Sequence, residues 1–180
     1  GKTFSFGGFT APRVAAGTYA EVITKGKDTF RHNFDLQYDP KSGLSPEGRA
    51  EKNRITTELY DMTEQLAYLV YQVDAYTEQA AKAGDKRDLK KLEALKEGLV
   101  ITTGDNYVGT AEPQLREKMA DLYSKVASSY DVPSAADIAN LELIRDRYER
   151  ARTEFDKLKP KVKGADTLEL VSFEEFLEMD

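Results

Sequence analysis

A chain of 180 residues with 40% hydrophobic and 32% charged side chains suits one folded domain, or a domain plus a fragment, and is too apolar for disorder. Its net charge of -6 argues against nucleic acid or membrane insertion, since nucleic acid and anionic lipid both need clustered cations and no apolar run is long enough to cross a bilayer. The lack of cysteine excludes disulfides, thiol catalysis and thiolate metal sites.

No signal peptide is recognisable. Gly1 resembles a cleavage remnant and strand-like sequence follows at once, so the chain reads as a piece of something larger. Lys2 to Phe6 reads as a short strand with Phe4 and Phe6 on one face, broken by Gly7-Gly8. Residues 9–16 are irregular around Pro12. A second strand, Thr18 to Thr24, leads into a hairpin turn at Lys25-Gly26-Lys27-Asp28. In a third, Thr29 to Tyr38, Phe30, Phe34, Leu36 and Tyr38 alternate with Arg31, Asn33, Asp35 and Gln37, with His32 on the apolar parity. That alternation predicts one buried and one wet face.

From Ser45 to Ala83 the chain follows a helical period. Ile55, Leu59, Met62, Leu66, Leu69, Val73, Tyr76 and Ala80 recur at steps of three and four, which places them on one face. Ser45 can cap the N-terminus, Pro46 suits the first helical position and Gly84 suits the stop. A second helix, about Lys86 to Thr102, turns Leu89, Leu92, Leu95 and Leu99 inward. Residues 103–110 form a loop rich in Gly, Asp and Asn. A third helix runs from about Pro113 to Ser129, and a fourth, capped by Ser134 and Asp137, carries Ile138, Leu141, Ile144, Tyr148, Ala151, Phe155 and Leu158. Thr167 to Val171 alternates like a strand, and Ser172 with Glu175 caps a last short helix, Phe173 to Met179. Short links make the helices antiparallel neighbours, the first pairing with both the second and the third.

Chemistry is harder to find. His32 is the lone histidine, so no histidine pair exists for zinc. The serines lack a nucleophile-elbow setting. The acids, among them Glu58, Asp61, Glu64, Glu174 and Glu175, alternate with Lys and Arg on outward helix faces rather than pairing across a cleft as glycosidase carboxylates do. Asp105 and Asn106 do not follow the spacing of a calcium loop. No catalytic, cofactor or metal residue is assigned. Tyrosines are the remaining candidates for a ligand or partner contact: Tyr68 and Tyr71 flank the apolar stripe, where a neighbouring helix or the sheet would cover them, and Tyr107 lies in a loop.

Two stretches carry a family resemblance. The first is Thr3-Phe4-Ser5-Phe6-Gly7-Gly8-Phe9-Thr10-Ala11-Pro12-Arg13-Val14, then Gly17-Thr18-Tyr19 and Asp39-Pro40-Lys41. The second is Leu59-Tyr60-Asp61-Met62-Thr63-Glu64-Gln65-Leu66-Ala67-Tyr68, followed by the helical pair around Pro113 and Leu141. Together they resemble the C-terminal region of large bacterial exported proteins with BNR/Asp-box, sortilin-like β-propellers, often labelled glycosyl hydrolases. In that family the propeller is followed by an immunoglobulin-like strand region and then a helical bundle. Asp boxes and tryptophan are absent here, so no catalytic residue carries over.

The combined reading is an α+β chain: an antiparallel four-helix bundle with a small N-terminal β-sheet, a partial immunoglobulin-like sandwich. Residues 1–40 form the β region, 45–162 the bundle, and 163–180 a strand and short helix that pack back on the sheet. The resemblance implies a non-catalytic C-terminal accessory or interaction module of an exported parent, periplasmic or extracellular. The alternatives are a carbohydrate-binding or adhesion module, or an independent hydrolase. The expected partners are the parent's propeller, a second copy joined through the sheet edge, or carbohydrate.

Overall fold

The computed structural model describes residues 11–102 and 111–179. Among the described residues the chain is a mixed α+β protein, 63% helical, with a small two-stranded antiparallel sheet and five α-helices. The expected strand at Lys2 to Phe6, and the loop at 103–110, lie outside the described residues.

The element that dominates the fold is α1 (Pro46–Lys82), 37 residues and so about 55 Å long. Its ends follow from local chemistry. The Ser45 hydroxyl accepts from the Gly48 amide at 3.1 Å, and Pro46 stands where a missing N–H costs nothing. At the other end Gly84 takes φ +69°. The Asp85 amide returns to the Ala80 carbonyl at 2.9 Å and the Gly84 amide to Ala81 at 3.1 Å, a Schellman closure that needs a left-handed residue. Of the expected stripe, Ile55, Leu59, Met62, Leu66, Leu69, Val73 and Ala80 are buried, and Tyr76 is half-buried with its ring edge-on to Phe155 at 5.3 Å.

Three further helices cover this stripe: α2 (Lys86–Leu99), α3 (Leu115–Ser128) and α4 (Ala135–Leu158). Helix α1 packs along both α2 and α3, while α4 touches α1, α2 and α3. Leu92, Leu95 and Leu99 from α2, Leu115, Met119, Leu122 and Val126 from α3, and Leu141, Ile144, Tyr148, Phe155 and Leu158 from α4 complete one core. Each N-terminus is closed by a side chain. Asp85 accepts from the Asp88 amide, Glu117 from the Gln114 amide, and Ser134 with Asp137 forms the expected box. Helix α3 starts at Leu115 rather than Pro113, because Gln114 and Glu117 satisfy its first amides.

The sheet is a hairpin of β1 (Gly17–Lys25) and β2 (Asp28–Leu36), with Tyr19 opposite Phe34, Glu21 opposite His32 and Ile23 opposite Phe30. The strands run to within two residues of each other. Gly26, at φ +63°, takes the first central position of the turn, where a positive φ favours glycine. The expectation of one buried face is overturned. Phe30 is 61% and Ile23 53% exposed, and Phe34 and Leu36 are exposed too. The helices do not cover them, since their apolar stripes are already spent on one another.

The C-terminal expectation is corrected as well. Thr167 to Val171 forms no strand; a 3₁₀ turn at Ala165–Thr167 precedes an extended run, and the sheet has two strands among the described residues. The tail packs on α1 rather than on the sheet, ending in α5 (Phe173–Glu178). Its aromatic side chains find tyrosine rings there, whereas the hairpin stands apart from the helical core.

Candidate functional site

One face of the hairpin gathers the odd positions of β1 and the even positions of β2, because side chains alternate along a strand. It presents Tyr19, Ile23, Phe30, Phe34 and Leu36, with Glu21 and His32 facing each other between the apolar rows. Tyr19 and Phe34 stack at 6.1 Å. The Tyr19 hydroxyl donates to the Ala15 carbonyl at 2.6 Å and ties the leading segment to the sheet. The opposite face is polar: the Thr18 hydroxyl donates to Asp35 at 2.7 Å, and Asn33 and Arg31 lie beside Ala20 and Val22. The hairpin is therefore amphipathic, with its apolar side in water. Where the strands meet the helical body, the Arg49 guanidinium lies over the Tyr38 ring at 4.4 Å.

The predicted tyrosines fall differently. Tyr68 and Tyr71 stack at 6.0 Å on α1. Phe176 lies 5.3 Å from each, and Phe173 lies 5.4 Å from Tyr68. The Tyr68 hydroxyl donates to the Val171 carbonyl at 2.8 Å. A neighbouring helix covers them, as one of the two expectations had it; that helix is α5, and the sheet plays no part. Tyr107 lies outside the described residues, as do Asp105 and Asn106. Tyr130, which the sequence reading passed over, is 92% exposed at the α3–α4 corner. No periodicity in the sequence marks a residue in a two-element corner.

The carboxylates serve helix ends and ion pairs. Glu58 accepts from both Arg54, at 2.9 Å, and Arg145. Glu51 binds Arg54, which holds its carboxyl below the ordinary range. Asp137 is the most perturbed acid: the Lys125 ammonium at 2.6 Å, the Ser134 hydroxyl at 2.7 Å and the Ser134 amide at 3.0 Å hold it down at about 2. Burial has the opposite effect on three tyrosines, Tyr148, Tyr123 and Tyr60, whose hydroxyls are pushed up chiefly by desolvation. Burial also pushes the Lys52 ammonium down, with Arg13 adding to the effect; its Nζ donates to the Ser129 carbonyl. Among the described residues, no three His, Asp or Glu side chains group closely enough to hold a metal ion, and no helix is long and apolar enough to cross a membrane.

No family model matches the chain, and no match was found among curated proteins or solved structures.

Proposed function

We propose that this chain is a non-catalytic C-terminal interaction module of a larger exported protein, of the BNR/Asp-box β-propeller type often labelled a glycosyl hydrolase, as its sequence resemblance implies. One observation carries the reading: the hairpin's apolar face, with Ile23, Phe30, Phe34 and Leu36 exposed, is uncovered beside a well-packed helical body. A contiguous apolar face in water marks an interaction surface, and a second sheet laid over it at about 10 Å would bury it. On this reading α1 to α4 are an antiparallel four-helix bundle. The hairpin is then one edge of an immunoglobulin-like sandwich whose other strands belong to the parent chain, in the periplasm or outside the cell. The face is open rather than grooved, and Glu21 with His32 is the one facing pair of titratable groups between its apolar rows. That favours a protein layer over a sugar, which is held by several converging polar groups in a concave site.

Photocrosslinking in the native host tests the partner. Benzoylphenylalanine replacing Phe30 in the parent polypeptide should crosslink within that same polypeptide, to a β-rich segment ahead of this chain. Crosslinks to a polysaccharide or to a separate protein alone, or none, would overturn the proposal. The non-catalytic half has its own check. Turnover of aryl-glycosides or polysaccharides by the purified chain, abolished by a single Asp or Glu substitution, would refute it.

A further inference from the structure

The C-terminal segment is attached to the body in two unequal ways. Up to Thr167 it is anchored. Val162 is buried in the core, and the Gln79 side-chain amide donates to the Gly164 carbonyl at 3.2 Å. The Thr167 amide and hydroxyl both close back on the same carbonyl, at 3.1 and 2.7 Å. Beyond Thr167 the attachment changes. No residue from Leu168 to Met179 is buried, and none belongs to the core that joins α1, α2, α3 and α4. Helix α5 has six residues, far too few to be stable alone. Its order comes from its Ser172–Glu175 capping box and from the tyrosine shelf on α1: Tyr68 against Phe173 and Phe176, Tyr71 against Phe176, and the Tyr68 hydroxyl on the Val171 carbonyl.

We infer that residues 168–179 are a latch that opens as a unit while the helical body stays folded, and that its opening uncovers Tyr68 and Tyr71. The hinge is the turn from Gly164 to Thr167, which the Gln79 contact keeps in place when the latch lifts. Segments that bury little and are held by few exposed hydrogen bonds open far more cheaply than the core beneath them. The two tyrosines are thus gated by the latch: half-buried and stacked under phenylalanine when it is closed, uncovered when it is open. This inference does not depend on what covers the hairpin.

Native-state hydrogen exchange on the full chain tests it. With the latch closed most of the time but free to open alone, amides of 175–179 should be protected and yet exchange at least ~100-fold faster than those of 59–73. Tyr68→Phe removes one hydrogen bond and keeps the ring. It should speed latch exchange roughly 3–10-fold and leave residues 59–73 unchanged. Phe176→Ala should release the latch further, again without moving the core. Three results would overturn the inference: latch amides exchanging as slowly as the core, latch amides with no protection at all, or variants that accelerate latch and core alike.

Discussion

Asp137 shows how the most perturbed carboxyl among the described residues can serve architecture alone. It sits at the third position of α4, buried, with its oxygens taken by Lys125 and by the hydroxyl and amide of Ser134. Its folded-state value of about 2 lies below the ordinary 3.8, so its contribution to stability is fully present above about pH 4 and is lost as the pH falls toward 2. Asp137→Asn should remove that part of the acid sensitivity: between pH 4 and 2 the melting temperature of the variant should fall less steeply than that of the native chain. Parallel slopes would mean that the carboxylate is not held by these partners. Gly48 makes a second residue-scale case. It lies in the first turn of α1, where a Cβ would meet Val132 Cγ2 at 2.7 Å. Helix propensity alone favours alanine by about 1 kcal/mol. Gly48→Ala should deliver less than this in the native chain and recover it when combined with Val132→Ala. Urea melts of the four-member cycle would show the coupling, and strict additivity would contradict the contact.

Elements differ in how much of the stability they carry. The α1 stripe is the centre of the core, and Leu66 is fully buried in it, so Leu66→Ala should cost about 2–5 kcal/mol. Phe30 is as large and apolar but faces water, so Phe30→Lys should change stability by no more than about 0.5 kcal/mol. Chemical denaturation of the two variants checks the ranking; a comparable loss for both would mean that something in this chain covers the hairpin. The turn after α4 is a third case. Gly164 has φ +79°, and a Cβ there would run into the Gln79 side chain. Gly164→Ala should cost about 1–3 kcal/mol through backbone strain and the displaced amide. A melting temperature equal to that of the native chain would show that the turn relaxes freely.

At the scale of the whole molecule the chain divides into a helical body whose stripes are mutually satisfied and a hairpin that is not. A lone two-stranded hairpin is marginal in water, and this one has one apolar face that no other described element covers. Its amides should exchange much faster than those of α1 in the isolated chain and, on the proposed reading, should gain protection within a larger parent polypeptide. Equal protection in both settings would mean that the hairpin needs no partner.

Much of this could be read from the residues in order. The apolar period from Ile55 to Ala80, the Ser45 and Gly84 boundaries and the Ser134 and Ser172 caps are local features, and local geometry alone decides them. The hairpin turn was equally legible, because Gly26 in a two-residue connection between Lys25 and Asp28 sets Thr24 opposite Thr29. What the sequence could not decide was which apolar face meets which. The alternation in β2 shows that a face wants burial, but not that the helices spend their stripes on one another and leave it open. Likewise Leu168, Leu170, Phe173 and Phe176 suit a sheet edge or a helix groove equally well. Tertiary structure settled the matter by placing Tyr68 and Tyr71 within reach of the tail and the sheet out of it. Hydrophobic burial has no direction of its own, so the partner of an apolar face is fixed by where the chain brings it.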